Sequence, residues 1–473
     1  MRATKATLII PVENQVRELD PKLLLACISA RRGFSSIIGP RREMHFYIPS
    51  FPKSTYISKS MTKASNSVFR TLRRLGHEIV VWDEEALVHL PPETYYTYRI
   101  SPIAMGYVSH LFAWGEDNAQ LWYKYPEFPS ERSIRISVTG NPRGDLLRPE
   151  IRIYYNNEVA KILEIYGDFI LINTNFGLVN AFYKDMNLVL PSGKTGEEPV
   201  LSRKAERMGL SPERAIGLVN HKQAIFEKFQ QLIFVLEEEF PEYNIVVRPH
   251  PTENQEIYRN IAARCSRVWV TNEGNVVPWL MATQAVIHNG CTTGLEAYVL
   301  GVPAITYRAT VNDDYDHAFY HLPNMLSHQC FDFEELRVTL GKILAGELGA
   351  AAGEDRKALI DHHLAALEGP LACERMVDVL EEMMKGWSEV PTKPAIKHRL
   401  QGRIWATKRR LRKRFREYRQ DMAHNRPEFL RHRYPRISLE QVRARISRFQ
   451  MVLGNSRELK VEQIFNQFFR ISE

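Results

Sequence analysis

The sequence predicts an α/β protein of two similar domains, each a parallel sheet with helical crossovers, and a basic helical extension behind them. Three observations carry this. Residues 285–308, AVIHNGCTTGLEAYVLGVPAITYR, read as strand 285–288, a turn of small and hydroxyl residues 289–293, helix 294–300, a Gly-Val-Pro break and strand 304–307, which is one strand–helix–strand crossover. A length of 473 residues exceeds what one small core supports, so domains at 1–165 and 166–385 are expected. The charge is divided: 397–436 holds 15 Lys/Arg against 3 Asp/Glu in a chain whose net charge is +8, which leaves a slightly acidic body and a basic extension, 386–473.

The first domain opens with strand 6–11 and a helix over 21–31, with Asp20 as its cap and Pro21 at its first position. Strand 35–38, strand 46–48, helix 68–75 ended by Gly76, and strand 78–81 continue the alternation. The last runs into Asp83, Glu84 and Glu85, three carboxylates at a carboxyl strand end, where open α/β sheets bind ligands. Segments 107–114, 118–125 and 134–139 follow, the last leading into GNPRGDLLRPE. The second domain starts at strand 168–173; 191–210 reads as an exposed excursion and 215–240 as a long amphipathic helix. Elements at 243–247, 268–271, 276–280, 285–288 and 304–307 complete it, closed by helices 333–344 and 356–384. Beyond Lys385, PTKPAIK is a linker, 397–419 an Arg-rich helix, 427–436 broken and basic, and 438–449 and 461–469 short amphipathic helices.

The five cysteines, Cys27, Cys265, Cys291, Cys330 and Cys373, have neither pairing nor metal-ligand spacing, which suits a reducing compartment. No apolar run reaches the length of a membrane span, and Glu13 follows the first strand too closely for a signal peptide. There is no DxD at the strand ends, and His250, His288, His317 and His321 lack ligand spacing; 312–317 reads as a flexible acidic loop. No metal or other cofactor is expected.

Two stretches bear chemistry. The turn 289–293 sits at the mouth of a helix, whose unpaired amides can receive an anion, with Gly290 and Gly294 permitting close approach. Asn289, Thr292 and Thr293 line it, and Glu296 is better placed to accept a ribose hydroxyl than to meet phosphate. The plainer reading is a crossover in which Thr292 caps the helix. Arg248-Pro249-His250-Pro251 follows an apolar strand, with prolines stiffening the chain on both sides of His250. Arg248 and His250 can grip a phosphate, or the base and ribose of a nucleotide.

A strand ending in RPHP, followed some 40 residues later by NGCTTGLEAYVLGVPAI, resembles the donor-binding half of a GT-B glycosyltransferase that uses a CMP-activated sugar. The segments WDEEALV and VTGNPRGDLLRPE resemble a narrower group, the bacterial surface-carbohydrate enzymes related to retaining β-Kdo transferases. The likeness covers about residues 5–385; GLEAxxxGxP alone marks only the broad fold, and Cys291-Thr292-Thr293 stands where many such enzymes carry serines. It implies two Rossmann-like domains facing across a cleft. The His-Pro pair, here His250 and Pro251, would contact the cytidine nucleotide, and the hydroxyl-rich turn its phosphate. It also implies a nucleotide-sugar donor, most simply CMP-Kdo, and a glycan or lipid-linked glycan acceptor.

Retention by double displacement requires a carboxylate nucleophile. Asp145, after Asn141-Pro142-Arg143, is the expected one, with Asn141 and Arg143 binding substrate and Arg143 neutralising the substrate carboxylate. Glu85 or Glu84 would act as acid/base on the acceptor hydroxyl. Against this, Asp145 can merely cap the following turn. Other readings are a different CMP- or UDP-sugar donor, a nucleotide-sugar epimerase of the UDP-GlcNAc 2-epimerase type and, least favoured, nucleic-acid binding: the arginines have no aromatic platform among them. The tail sequence from Lys408 to Arg416 carries seven positive charges, with Leu411 and Phe415 able to enter a lipid interface and Trp405 upstream. Peripheral attachment to the anionic cytoplasmic face of the membrane is expected, the alternative being that the arm packs on the acidic body. A chain ending near Met384 is expected to stay folded.

Overall fold

The computed structural model describes residues 6–129, 134–191, 200–316, 318–385, 395–419, 423–454 and 457–473. It divides into two compact units, one of residues 1–87, 99–154 and 361–473, the other of residues 88–98 and 155–360. The strands, in chain order, are β1 (Ala6–Val12), β2 (Phe34–Pro40), β3 (Ser54–Ser58), β4 (Glu78–Val81), β5 (His110–Ala113), β6 (Arg135–Val138), β7 (Phe169–Thr174), β8 (Val189–Leu190), β9 (Val200–Leu201), β10 (Asn244–Pro249), β11 (Val268–Val270), β12 (Ala285–His288), β13 (Ala304–Tyr307), β14 (His328–Cys330), β15 (Lys460–Phe465) and β16 (Phe468–Ser472).

In the first unit β1 to β6 are parallel, in the order 2-1-3-4-5-6, and β1 is buried along almost its whole length, as a sheet covered on both faces requires. The expected strand at 46–48 is instead the end of helix Arg41–Tyr47 and a single tight turn; the strand of that region is β3, whose STYIS is fully buried. The helix expected from Pro21 begins earlier, at Gln15, with Pro21 inside it and Asp20 buried against Arg445. Its start is held by the Glu18 carboxylate, which accepts from the amides of Glu13 and Asn14 at 2.8 and 3.3 Å.

The second unit is a six-stranded parallel sheet in the order β11-β10-β7-β12-β13-β14, with β8 and β9 forming a separate antiparallel pair. Its core packs Ile170, Ile172, Val247 and Ile287 against Phe226, Phe229 and Leu236 of helix Pro212–Glu239. The crossover 285–308 forms as expected, except that its helix starts two residues earlier, at Thr292. Gly301, at φ 74°, ends that helix in the left-handed region.

The largest correction concerns the carboxyl-terminal region, which belongs to the first unit rather than forming a third domain. The expected helix 461–469 is a hairpin: β16 pairs antiparallel with β2, and β15 with β16, extending the sheet to eight strands. Phe469, Arg470, Ile471 and Ser472 alternate buried and half-buried with period two, and the turn between the strands places Gln467 at φ 64°. Phe468 fits because Gly39 of β2 has no side chain; a Cβ there would lie 2.4 Å from the ring. Helix Leu439–Val452, started by the Ser438/Gln441 capping box, stacks Phe449 on Tyr154 at 3.9 Å. Helix Ile396–Glu417 lays Gly402 against Leu75 and Pro49, and Trp405 donates to Ser67 at 2.8 Å. The linker expected at 391–397 lies mostly outside the described residues, as do 192–199 of the excursion 191–210; the rest of that excursion is not simply exposed, since it holds β9 and helix Arg203–Arg207 with Ser202 and Ala205 buried. The helix expected over 356–384 is two, Glu354–His363 and Ala372–Lys385.

Candidate functional site

In the second unit the chain runs from β7 through β10 to β11 on one side, then returns to β12 on the other side of β7. The connections diverge at the carboxyl ends of β7 and β12, the place where an open α/β sheet leaves a crevice for a ligand. Two segments of the predicted site converge on that edge, β10 leading into His250 and β12 into Asn289, and β7 between them supplies Asn173 and Thr174, which were not predicted.

The turn after β12 is built from buried groups. Gly290 takes φ 78° and donates its amide to His288 Nδ1 at 3.0 Å. His288 Nε2 therefore carries the proton and gives it to Ser327 Oγ at 2.9 Å, which in turn donates to Pro323 O. Burial pushes this imidazole down to about 3, so it acts as a neutral strut. Gly294 packs directly on it; a Cβ would meet Nε2 at 2.4 Å. Helix Thr292–Leu300 starts at Cys291, whose side chain makes no capping bond, so Thr292 is the first helical residue and not the cap of the plainer reading. The Cys291 thiol, a weak acceptor, faces the amides of Thr293 and Gly294 at the positive end of the helix dipole. Thr293 is buried and receives Asn173 Nδ2 at 3.0 Å, Thr292 is half-buried, and Glu296 lies one turn behind Thr292 on the same face. The side-chain oxygens of Asn173 and Asn289 are buried with no donor among the described residues.

His250 is half-buried, and its Nδ1 lies 2.7 Å from Thr252 Oγ1 and 3.3 Å from the Thr252 amide, so the ring is held by Thr252. The loop is held by a group the sequence reading missed. Glu253, fully buried, accepts from His250 N at 3.0 Å, Tyr258 Oη at 2.7 Å and Thr174 Oγ1 at 3.0 Å. Pro251 sits in the turn so formed. Burial raises the Glu253 carboxyl to about 7 against the pull of these donors. Its folded value lies above the unfolded one, so the stabilisation is full below the ordinary carboxylate range and is lost as pH rises towards and through 7. The wild-type protein is therefore expected to lose heat stability relative to Glu253→Gln between pH 5 and pH 8; a difference that stays constant over that range would contradict this.

Arg248 does not join His250 as expected. Its buried guanidinium donates to the carbonyls of Glu273 and Gly274 at 2.8 and 2.6 Å and lies over Trp279, and burial lowers it to about 9. It ties down the 273–274 loop and is turned away from the role of phosphate clamp. The acidic loop at 312–316 is likewise committed: Asp316 pairs with His221 at 2.9 Å and Arg308 at 3.3 Å, and His317 lies outside the described residues. Among the described residues no group of three His, Cys, Asp or Glu is placed to hold a metal ion.

The expected catalytic residues lie in the first unit, and the structure separates them. Asp145, on the short helix Pro142–Asp145, has no exposure; its two oxygens accept from the amides of Ala372 and Cys373 at 2.7 and 2.8 Å. It holds the start of helix Ala372–Lys385, 227 positions away, and cannot reach a substrate without abandoning two buried amides. Burial pushes it up to about 6, which also opposes a nucleophilic carboxylate. The expectation of Asp145 as nucleophile is corrected on these grounds. Asn141 caps the same short helix, accepting from Arg143 N at 3.0 Å, and Arg143 is buried over the Trp114 ring. Neither presents itself to a substrate here.

Glu84 is buried, accepts from Trp82 Nε1 at 3.0 Å and sits 3.4 Å from Lys22, with its second oxygen unpartnered among the described residues. Glu85 is 47 % exposed and meets Arg17 at 2.7 Å. Burial works to raise its pKa, but Arg17, Arg99 and Lys59 hold it well below the usual carboxylate range. Beside them Glu13 and Lys59, just past the ends of β1 and β3, join Glu18 and Lys22 of helix Gln15–Arg31 in one ion-pair network.

No protein-family model matches the chain, and no curated protein matches it in sequence. Among solved structures, the wall teichoic acid polymerase TagF superposes with a TM-score of 0.52 at 11 % identity, over 82 % of this chain and 91 % of that one. The UDP-GlcNAc 2-epimerase of Methanocaldococcus jannaschii, in complex with UDP-GlcNAc and UDP, gives 0.45 at 13 % identity, over 80 % and 99 %. MnaA of S. aureus, with UDP, gives 0.45 at 11 %, over 82 % and 99 %. The chain has a GT-B-like fold. The likeness to TagF establishes that much, and at such identity it is a statement about architecture alone.

Proposed function

We propose that this protein is a glycosyltransferase that moves a sugar acid, most simply Kdo, from a CMP-activated donor to a hydroxyl of a cell-surface glycan. The observation that supports it best is the crevice of the second unit. There the start of helix Thr292–Leu300, which makes no side-chain cap bond at Cys291, two buried amide oxygens and the His250 imidazole offer donors and acceptors of the kind a nucleotide monophosphate requires. Thr292 and Thr293 would lie near the phosphate and Glu296 near the ribose. Of the three carboxylates expected in catalysis, Glu85 is the one that is both ionised and exposed, and we assign it the attack on the anomeric carbon. The C–O bond to phosphate breaks, CMP leaves with the electron pair, and a glycosyl ester forms on Glu85. Glu84 is left for proton transfer.

Incubation with CMP-Kdo and no acceptor, read by intact mass and peptide mapping, should give a glycosyl adduct on Glu85 that acceptor discharges. An adduct on another carboxylate would overturn the assignment, and turnover of a UDP-sugar without acceptor would favour an epimerase.

A place at the inner face of the membrane fits the same reading. Among the described residues no helix is long and apolar enough to cross a bilayer. Helix Ile396–Glu417, however, exposes Ile396, Leu400, Ile404, Leu411 and Phe415, the last at 74 %, while buried Gly402 and Ala406 face the body. Nine residues at about 100° each put Leu411 opposite Gly402. Arg403 and Arg414 flank the apolar stripe on one side and Lys408 and Arg412 on the other, the pattern of a helix lying in an anionic interface. Replacing Ile404, Leu411 and Phe415 with Glu should lower binding to anionic liposomes at least tenfold with no change in melting temperature; unchanged binding would remove this role.

A further inference from the structure

The inward face of the same helix carries a different feature. Arg409 and Lys413 are half-buried and approach Arg41 and Arg42, from the first turn of the helix that follows β2. Arg42 donates to Lys413 O at 3.3 Å and pairs with Glu417. Arg409 donates to His45 Nδ1 at 3.3 Å, and His45 Nε2 lies 3.1 Å from Tyr56 Oη. Arg41 bonds both Tyr56 and Glu13, the latter at 2.9 Å, and Arg433 takes the other oxygen of Glu13 at 3.0 Å. Five cations thus surround three carboxylates, Glu13, Glu43 and Glu417, and Lys59 makes a further claim on Glu13 at 3.0 Å.

The hydrogen positions point the same way. A guanidinium only donates, so Arg409 makes His45 Nδ1 an acceptor and Nε2 must give its proton to Tyr56. The Tyr56 oxygen receives from His45 and Arg41, and its own proton is left to be donated. Nε of Arg42, Arg409 and Arg433 and Oη of Tyr434 are buried with no partner among the described residues. All are donors. Burial, with Arg409 and Arg42 beside it, lowers the Lys413 ammonium to about 7, so crowding of like charge is already felt at this spot.

We infer that this cluster is a binding site for a phosphate monoester, with Lys413 and Arg409 as its principal donors and a dianion offsetting the surplus charge. It is separate from the nucleotide crevice and does not depend on the donor assignment.

The test is titration of the full-length chain with inorganic phosphate, followed by calorimetry and by melting temperature. Wild type should bind saturably and melt higher with phosphate. Lys413→Met should bind at least tenfold more weakly and lose the rise, while Lys413→Arg should keep both. Lys397→Met removes the same charge from an exposed position of the same helix and should change neither. Equal affinity in K413M and K397M, or equal loss in both, would overturn the site, because phosphate would then be held elsewhere or by net charge alone. Vesicles carrying phosphatidic acid, compared with phosphatidylglycerol, separate the sources: a preference for phosphatidic acid that K413M abolishes identifies a lipid-borne monoester. Phosphate binding that K413M abolishes, without that preference, identifies a soluble or glycan-borne one.

Discussion

A chain cut after Met384 is expected not to fold, in contrast to the reading of the tail as a detachable arm. The cut removes β15 and β16 and leaves β2 as an unpaired edge, with its backbone donors and acceptors open to other chains. It also removes Phe429, Ile437, Val442, Ile446, Phe449, Val461, Phe468, Phe469 and Ile471, all buried, and uncovers the surfaces they pack on. At roughly 1.5–3 kcal/mol for each such side chain, the loss exceeds the ~5–15 kcal/mol by which a domain is usually stable. Soluble expression and a cooperative melt of the truncated chain would decide; a melt like that of the full-length protein would show the tail to be dispensable. Loss of liposome binding on truncation is therefore uninformative, whereas the stripe substitutions leave the packed face intact.

The second large effect is on nucleotide binding. His250→Ala should weaken CMP by about 10- to 100-fold, the range set by ~1.5–3 kcal/mol for a hydrogen bond to a charged group. The melting temperature should change little, because Glu253 holds the loop through the His250 backbone amide rather than its ring. Calorimetric titration of both proteins with CMP and UDP reads the result. Unchanged CMP affinity in a folded variant would remove His250 from the site, and tighter UDP than CMP binding in wild type would overturn the choice of donor.

Sequence patterns reached far into the second unit, because its elements are local. β12, the turn after it and β13 are contiguous, and period, small residues and a Gly-Val-Pro break mark them without help from distant chain. RPHP stood out for the same reason, since two prolines constrain their neighbours wherever they occur. The partners of these segments were not legible. Asn173 and Glu253 are ordinary polar residues until β7 comes to lie between β10 and β12 and brings them to one edge.

In the first unit the sequence determined the alternation of strand and helix, and the tertiary structure decided what the charged residues do. Asp145 reads as a free carboxylate after a strand, but the fold carries the amides of Ala372 and Cys373 to both of its oxygens. Glu84 and Glu85 are neighbours of one kind in sequence; Lys22 and Trp82 bury one, and Arg17 holds the other at the surface. The basic tail declared its charge by composition alone. Which face it turns inward is set by Gly402 and Ala406 packing on the sheet unit, and that it ends in two strands is set by the open edge of β2. Composition and period act along the chain; burial and hydrogen-bond partners are properties of residues that only folding brings together.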